Sequence, residues 1–320
     1  MDFQKAVESI EKNERVLLTT HTRPDGDACG CMVALCEALT ALGKKVKMLL
    51  LSELPQWYGF LFEQKPEIFS DKTKIDSDLI IIVDTASYSQ MPGFDKYLKQ
   101  SEKEVLVIDH HATSDGIGAV RLIDSDAAAA ALIVFDLLQY AGWPITKKTA
   151  EALFVAVSTD TGWFQFDNTD SRTFEVSLEL IKAGAEPAKI HKDLYQNFSP
   201  QRFKLMVTML NTLELHLEGR FAMQHLSQAD FERTGTKYSD TENLVDECRR
   251  ISNVEAVALF VEMADGQVKV SLRSRGAVNV CTIAEKFGGG GHKMAAGAHL
   301  PGPLDNAKKL VFDAVAEQFK

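Results

Sequence analysis

Three short apolar segments in the first half of the chain each end at acidic or imidazole side chains. The segments are residues 16–20, followed by His21; residues 79–83, followed by Asp84; and residues 105–108, followed by Asp109-His110-His111. Short runs rich in Val, Ile and Leu predict buried strands. If these strands are parallel, their carboxyl ends lie at one edge of a sheet, where open α/β sheets bind ligands. We therefore expect the ionisable groups to converge at this edge.

The order of the first elements supports a parallel sheet. A helical pattern from Cys29 to Leu42 follows the first apolar segment, and residues 46–51 predict the next strand. A β-α-β beginning is typical of parallel sheets with right-handed crossovers. Further helical patterns follow over residues 127–138, 149–158, 171–183 and 187–196. The sequence thus predicts an α/β fold with a parallel sheet and flanking helices in its first domain.

The pattern changes after Gly219. Short strand-like segments lie at 221–223, 257–261, 268–272 and near Ala298, with helical patterns at 240–251, 278–287 and 303–319. This mixture predicts a smaller α+β domain. An amphipathic pattern over 200–217 predicts a long helix that connects the two domains. We expect a first domain over residues 1–198, a linker helix over 199–218 and a second domain over 219–320.

Composition excludes several classes of protein. Of the 320 residues, 45% are hydrophobic and 25% are charged, as in ordinary globular proteins. No run of about 18 apolar residues predicts a membrane span. Residues 1–15 are mixed and charged and lack the apolar core of a signal peptide, so a cytoplasmic protein is expected. The five cysteines form no Cys-x-x-Cys pair, which disfavours a disulfide framework or a structural zinc site.

The net charge limits the partners. A formal charge of −10 at pH 7 argues against long-range capture of duplex nucleic acid, which relies on a basic surface. A short single-stranded oligonucleotide or a small nucleotide is compatible with this charge, because bound metal ions supply local positive charge. No membrane partner is expected, and a homodimer is left open.

Four carboxylates and two imidazoles make up the candidate site. They are His21, Asp25, Asp27, Asp84, His110 and Asp160, the last in a turn that closes a predicted helix. Mixed oxygen and nitrogen ligands suit Mn²⁺, Mg²⁺ or Fe²⁺ better than an ion that prefers thiolates. Six ligands exceed the needs of one ion with open positions, and two divalent ions would balance four carboxylate charges. Two ions about 3.5–4 Å apart clamp phosphoryl oxygens and generate hydroxide near neutral pH, which is the chemistry of phosphoester hydrolysis.

A glycine-rich segment is the main chemical feature of the second half. Gly288-Gly289-Gly290-Gly291-His292 is followed by Ala295-Ala296-Gly297. A glycine run by itself also occurs in flexible linkers. Because this run lies between an apolar helix and a strand and ends in a histidine, we favour a backbone nest that binds an oxyanion.

These motifs resemble those of the DHH phosphoesterases. The motif that gives the family its name stands here as Asp109-His110-His111. Other motifs of the family correspond to His21-Thr22-Arg23-Pro24-Asp25-Gly26-Asp27, Val83-Asp84-Thr85 and Asp160-Thr161-Gly162. The second half is similar to the DHH-associated domain through Ser271-Leu272-Arg273-Ser274, the glycine run and Ala295-Ala296-Gly297. The resemblance covers nearly the whole chain.

The resemblance implies a role for each candidate residue. One metal ion, expected to be Mn²⁺, would be held by His21, Asp25 and Asp84, and a second by Asp27, Asp84, His110 and Asp160. His111 would contact the scissile phosphate, and Asp109 would orient a histidine. Substrate phosphate or nucleotide would be bound from the second domain by Arg273, Ser274, Gly289, Gly290, Gly291 and His292.

The resemblance also implies an activity. The two-domain layout is most similar to the branch of the family that hydrolyses short oligonucleotides and 3′-phosphoadenosine 5′-phosphate. A phosphodiesterase of cyclic dinucleotides or of their linear products is the alternative, and a nucleotide sensor without catalysis is a third reading. A pyrophosphatase or polyphosphatase is a further reading, which the glycine-rich histidine motif disfavours. The chain departs from the family pattern at residues 127–131, which are all alanine, and at Asn279, and we expect both departures to bear on substrate choice.

Overall fold

The chain divides after Asn197 into two units, each with its own six-stranded sheet. The structure is a computed structural model, and it describes residues 1–319. Within these residues, none of the helices has the length and apolar character needed to cross a membrane. The predicted α/β class, with a parallel sheet in the first half, is confirmed.

Six parallel strands form the sheet of the first unit. They are β1 (Arg15–Thr19), β2 (Lys45–Leu50), β3 (Glu67–Ile68), β4 (Leu79–Val83), β5 (Glu104–Asp109) and β6 (Val120–Ile123). Their order is β3-β2-β1-β4-β5-β6, and every neighbouring pair is parallel. The strands that end at candidate ligands, β1, β4 and β5, are therefore adjacent. The strand order reverses between β1 and β4, and such a switch point is where open α/β sheets form ligand crevices.

Helices cover both faces of this sheet. They are α1 (Phe3–Lys12), α2 (Gly26–Ala41), α3 (Phe94–Gln100), α4 (Ala130–Ala141), α5 (Lys147–Asp160), α6 (Ser171–Lys182) and α7 (Pro187–Tyr195). One face of β4 packs in a large core with α2, α4 and α5, and the other face packs in a smaller core that includes Phe94. Every residue of β4 is buried, which explains why its sequence is continuously apolar and does not alternate.

Two glycines allow α2 and α5 to approach closely. A Cβ atom on Gly26 would lie 2.1 Å from Oγ1 of Thr159, and one on Gly30 would lie 2.3 Å from the carbonyl oxygen of Ala152. Residues four apart lie on the same face of a helix, so both glycines face α5. Since α2 begins beside Asp27 and α5 ends at Asp160, this close packing fixes the distance between two of the candidate ligands.

The second unit contains a mixed sheet with helices on both faces. Its strands are β7 (Glu214–His216), β8 (Phe221–Leu226), β9 (Ala256–Glu262), β10 (Gln267–Ser274), β11 (Gly290–His292) and β12 (Ala295–Pro301), in the order β11-β12-β10-β9-β8-β7. The pair β8 and β9 is parallel, and the other pairs are antiparallel. Helices α8 (Pro200–Leu210) and α9 (Gln228–Thr234) pack on one face, and α10 (Val280–Glu285) and α11 (Leu304–Ala316) pack on the other.

The predicted linker helix over 199–218 is wrong in its length. Helix α8 ends at Leu210, and the chain turns into β7. The hydroxyl of Thr212 lies 2.7 Å from the carbonyl oxygen of Met209, and it accepts a hydrogen bond from the backbone N–H of His225 at 2.9 Å. Thr212 thus hydrogen-bonds to a carbonyl oxygen at the end of α8 and to the backbone of β8. The amphipathic pattern reflects the packing of α8, through Leu205 and Met209, against the sheet of the second unit.

Candidate metal centre

The strand ends of the first unit bring three of the expected ligands to one edge of the sheet. His21 lies two residues after β1, Asp84 directly follows β4, and His110 directly follows β5. Because β4 lies between β1 and β5, the end of β4 is one strand spacing from the end of each of the other two strands. The convergence expected from the sequence pattern is present in the structure.

Asp84 lies at the centre of the cluster. Its Oδ2 is 3.3 Å from Nε2 of His21, and its Oδ1 is 3.5 Å from Nε2 of His110. The side chain is buried, and Oδ1 has no hydrogen-bond partner within residues 1–319. The backbone of Asp84 adopts φ +59°, a left-handed conformation that residues other than glycine adopt at a cost and that is concentrated at functional sites. A buried carboxylate oxygen without a donor, next to two imidazoles, is suited to bind a cation.

Backbone carbonyls fix both expected imidazole ligands. Nδ1 of His21 lies 2.9 Å from the carbonyl oxygen of Thr22, and Nδ1 of His110 lies 3.0 Å from that of Ala127. A carbonyl oxygen only accepts hydrogen bonds, so Nδ1 carries the proton in each neutral ring. The lone pair of Nε2 then faces the carboxylates, which is how metal-binding histidines are oriented.

The alanine run positions Asp27 through its backbone. The N–H groups of Ala130 and Ala131 donate to Oδ2 and Oδ1 of Asp27, at 2.6 and 3.0 Å. These N–H groups begin α4, and the positive end of a helix stabilises an anion there. The same run supplies the Ala127 carbonyl that orients His110. Sequence reasoning missed this contribution, and the only indication of it was the start of a helical pattern at residue 127.

Asp25 and Asp160 complete the cluster from two helix ends. Asp25 caps α2 and accepts a hydrogen bond from the N–H of Ala28 at 3.0 Å. Asp160 is the last residue of α5 and does not lie in the turn that the sequence pattern predicted. Its Oδ2 lies 3.4 Å from Nε2 of His110. Two helices and three strands therefore contribute to one site.

The pKa values of the imidazoles reflect an excess of negative charge. Burial lowers the pKa of His21, but the hydrogen bond and charge of Asp84 outweigh it and raise the pKa to about 9. Burial also opposes protonation of His110, whose pKa is nevertheless raised to about 10 by the surrounding carboxylates, Asp84 foremost. The neighbouring carboxylates therefore favour the protonated form of both rings.

The pKa values of the carboxyl groups have the same cause. Burial and the charge of Asp84 raise the pKa of Asp25 and Asp27, and they raise that of Asp160 to about 7 against the opposing charge of His110. Burial alone would raise the pKa of Asp84, but its contacts with the two imidazoles lower it below the usual value. Positive charge brought into the cluster would stabilise every carboxylate, and oxygen and nitrogen donors suit divalent ions.

Three groups of ligand atoms are close enough to share a metal ion. Within each group the atoms lie within 4.8 Å of one another. The groups are His21, Asp25 and Asp84; Asp27, His110 and Asp160; and Asp84, His110 and His111. The residues of this chain thus fit a site for divalent metal, and Asp84 belongs to two of the three groups.

His111 differs from His110 in its exposure and in its partner. Its side chain is 52% exposed, whereas that of His110 is 14% exposed. Nδ1 of His111 lies 2.8 Å from Oδ1 of Asp109, which is fully buried, and this hydrogen bond raises the pKa of His111. Because Asp109 occupies Nδ1, Nε2 is the ring atom that can reach a substrate.

The parallel sheet and the cluster at its switch point define an α/β protein with a centre for divalent metal. Two sequence profiles place it within that class: the profile described as "DHH family, N-terminal domain" matches residues 15–157, and that of the DHHA1 domain matches residues 221–320. The chain belongs to the DHH family.

Curated relatives extend over nearly the whole chain. The bifunctional oligoribonuclease and PAP phosphatase NrnA of Thermus thermophilus is 35% identical over 306 residues, which cover 95% of this chain and 90% of that protein. The protein of the same name from Bacillus subtilis is 28% identical and covers 96% of each chain. The crystal structure of an exopolyphosphatase-related protein from Bacteroides fragilis matches with a TM-score of 0.92 at 22% identity, covering 98% of this chain and 95% of that one. This last similarity shows a shared fold.

The candidate substrate residues Arg273 and Ser274 end strand β10 in the second unit. Nε of Arg273 lies 3.3 Å from Oδ1 of Asp246, and the side chain is 24% exposed. Ser274 is buried, and its hydroxyl accepts hydrogen bonds from the N–H groups of Gly276 and Val278, at 2.9 and 3.3 Å. Ser274 therefore shapes the loop after β10, and Arg273 carries the charged group.

The glycine run forms an edge strand. Its last residues, Gly290–His292, are β11, which pairs with β12. A Cβ atom on Gly289 would lie 2.2 Å from the carbonyl oxygen of Gly297, so this position requires glycine for close packing. The N–H groups of Gly288 and Gly289 donate to carbonyl oxygens of α10, which excludes them from the predicted backbone nest. The N–H groups of β11 and the exposed His292 stay candidates for binding a phosphate.

Proposed function

We propose that this chain is a metal-dependent phosphoesterase that releases mononucleotides from short oligonucleotides and dephosphorylates 3′-phosphoadenosine 5′-phosphate. The observation that carries the proposal is that two groups of three possible ligands, His21-Asp25-Asp84 and Asp27-His110-Asp160, lie side by side at the switch point of the sheet. Asp84 of the first group is 3.5 Å from His110 of the second. The relatives from T. thermophilus and B. subtilis are named as bifunctional oligoribonucleases and PAP phosphatases, which supports the substrate class.

Two divalent ions are proposed for the site, with Mn²⁺ favoured over Mg²⁺ and Fe²⁺. His21, Asp25 and Asp84 would hold one ion, and Asp27, His110 and Asp160 would hold the other together with Asp84. When bound, such a pair polarises phosphoryl oxygens and provides hydroxide near neutral pH. The backbone contacts to His21, His110 and Asp27 keep these ligands in place before the substrate arrives.

His111 and Asp109 are proposed to act on the substrate. Asp109 holds the ring of His111 and raises its pKa, which favours the protonated imidazole. Nε2–H of His111 then donates to a phosphate oxygen, and a charge-assisted hydrogen bond of this kind strengthens as negative charge develops there. Since His111 is half exposed, this group can meet a substrate without a rearrangement of the cluster.

The distribution of charge supports short substrates. Residues 1–197 contain 20 basic and 30 acidic residues, which gives −10, whereas residues 198–320 contain 15 of each, which gives zero. The unit with the metal centre therefore carries the whole negative excess, and it repels a long phosphate backbone outside the immediate site. A cytoplasmic location and a homodimer stay predictions from the sequence.

Metal-dependent release of mononucleotide is the expected result that tests the function. A labelled dinucleotide should yield mononucleotide with Mn²⁺, and the rate should fall to background with EDTA. A trinucleotide should be cut faster than a 24-nucleotide RNA at equal concentration. The measurement is a time course on a panel of two- to ten-nucleotide RNA, 3′-phosphoadenosine 5′-phosphate, cyclic di-AMP and pyrophosphate.

The panel also separates the alternatives. Faster turnover of cyclic di-AMP than of any linear substrate would replace the proposal by the phosphodiesterase alternative. Binding of these nucleotides without turnover in Mn²⁺, Mg²⁺ or Fe²⁺ would favour the nucleotide sensor. Preferred cutting of the 24-nucleotide RNA would contradict the inference from charge.

Arg273 and His292 are proposed to bind substrate phosphate or nucleotide. Arg273→Ala should lower kcat/KM for a dinucleotide by roughly ten- to a hundredfold, because a charge-assisted hydrogen bond contributes about 1.5–3 kcal/mol. Bound metal should be unchanged. Arg233→Ala is the matched control, since Arg233 is an exposed arginine of the same unit whose partner is Asp230. Equal kcat/KM for Arg273→Ala and wild type would remove Arg273 from the proposed site.

A further inference from the structure

The loop directly after Asp160 is held in an unusual backbone conformation. Gly162, Trp163 and Phe164 have φ values of +56°, +60° and +63°, so three consecutive residues are left-handed. Only glycine adopts this conformation without a cost, and such a loop persists when its surroundings determine it. The loop is also tied to the metal centre, because Nδ2 of Asn168 donates to the backbone carbonyl oxygen of Asp160 at 3.3 Å.

An aromatic cluster explains how the loop is held. The ring of Phe164 stacks on that of Phe174, with centroids 5.4 Å apart and an interplanar angle of 21°. The ring of Trp163 makes edge contacts with Phe154 and His191, at 6.0 and 4.9 Å. Aromatic pairs with these geometries stabilise the folded state by more than the burial of their apolar area alone provides. The loop is therefore rigid in position relative to α5 and Asp160.

Phe166 is the aromatic residue of this loop that takes no part in the cluster. A Cβ atom on Gly162 would lie 2.4 Å from Cε1 and Cζ of Phe166, so the ring lies directly against the backbone of Gly162. The residue is nevertheless 49% exposed. Its backbone N–H donates to the carbonyl oxygen of Thr161 at 3.1 Å, which fixes its place in the loop. The result is a positioned aromatic surface that faces solvent.

The loop begins beside the metal centre along the chain. Gly162 is two residues from Asp160, and two residues span at most about 7 Å. A ring supported on Gly162 is thus within the reach of a nucleobase whose phosphate is bound at the cluster. The ring is uncharged and offers no hydrogen bond, so it would accept any base through stacking and would not select a sequence.

We propose that Phe166 is the stacking surface for the nucleobase of the bound substrate. This inference rests on the proposed nucleotide substrate and adds a binding residue to it. The proposal explains the tight packing at Gly162. Because glycine has no Cβ, the ring of Phe166 can lie against the loop beside Asp160 while the outer face of the ring stays exposed. Phe166 contributes affinity for the base, and the metal centre and His111 act on the phosphate.

The test compares substrates with and without a base. The substrates are 3′-phosphoadenosine 5′-phosphate and the abasic tetrahydrofuran 3′,5′-bisphosphate, which carries the same phosphates. Phe166→Ala should lower kcat/KM for the adenosine compound by roughly five- to 150-fold, the range that stacking of one base provides, and leave the abasic compound unchanged. Phe166→Tyr should restore the rate because it keeps the ring face, and Phe166→Leu should not.

Controls separate stacking from folding and from the proposed function. Tyr140→Ala is the matched control, since Tyr140 is 58% exposed and stacks on Phe3 at the opposite end of α4 from Asp27. It should match wild type with both substrates. Equal losses with both substrates in Phe166→Ala, or no loss with either, would overturn the stacking role.

Equilibrium binding provides a readout that does not depend on turnover. Calorimetry in Mn²⁺ should show tighter binding of AMP than of the abasic monophosphate to wild type, and Phe166→Ala should lose this difference. If wild type shows no hydrolysis but Phe166→Ala loses the difference, the stacking inference stands and the proposed catalytic function fails. If wild type hydrolyses the nucleotide but Phe166→Ala binds AMP as wild type does, the stacking inference fails alone. If wild type neither hydrolyses the nucleotide nor prefers AMP, both fail.

Discussion

Asp84→Asn is expected to lower kcat on a dinucleotide by roughly a thousandfold or more and to reduce the metal bound per chain. Asp84 lies between His21 and His110, at 3.3 and 3.5 Å, so its carboxylate is next to a ligand of each proposed ion site. Loss of its charge weakens both, and several kcal/mol of charge stabilisation corresponds to roughly this factor. Steady-state kinetics and elemental analysis of the purified variant measure the two effects.

Asp84→Asn removes the charge of the side chain and keeps its shape. Asparagine tolerates the left-handed conformation that Asp84 adopts at φ +59°, so backbone strain will not confuse the result. Asp95→Asn is the control, because Asp95 is a carboxylate of the same unit on α3 that pairs with Lys99 at 3.3 Å and lies outside the ligand groups. Near-normal turnover by Asp84→Asn with two ions per chain would refute the bridging role.

His111→Ala is expected to lower kcat by roughly a hundred- to thousandfold while the bound metal stays at the wild-type level. This is the range for removing one hydrogen-bond donor that stabilises charge developing in the transition state. Nδ1 of His111 is engaged by Asp109 at 2.8 Å, which leaves Nε2 as the ring atom available to a substrate. Kinetics on a dinucleotide and metal content are again the measurements.

His110→Ala is the matched comparison for this prediction. Nε2 of His110 lies 3.4 Å from Asp160 and 3.5 Å from Asp84, so its loss should lower metal content as well as rate. A fall in metal content that is equal in the two variants would make His111 a metal ligand, as the third group of close ligand atoms also allows. The two variants therefore show whether His111 is a metal ligand like His110 or a residue that contacts the substrate.

Much of the fold and most of the site could be predicted from residue types and spacing. A continuously apolar run such as Leu79–Val83 favours burial on both faces, and a parallel sheet with helices on both sides provides it. Parallel strands bring their ends to one edge, so the ligands at those ends converge without further information. This part is predictable because residue types and the spacing of apolar residues can be read directly from the sequence.

The linker helix shows where this reasoning fails. The apolar face over 200–217 predicted one long helix, but α8 ends at Leu210 because Thr212 bonds to the backbone of β8. That hydrogen bond joins Thr212 to a residue of another element, so the local pattern of apolar residues does not predict it. The glycine run is a second case: the close contact of Gly289 with Gly297 makes it a packed edge strand and not a free loop.

The sequence by itself determined the parallel sheet, the strand ends that meet at its edge and the carboxylate and imidazole groups brought together there. Only the tertiary structure decided how those groups are held. As a departure from the family pattern, the alanine run predicts only an effect on substrate choice. In the structure its backbone N–H groups bind Asp27, and the carbonyl oxygen of Ala127 orients His110. Side chains are specified by residue type, but every residue carries the same backbone donors and acceptors. Which of them face a ligand depends on the path of the chain in space.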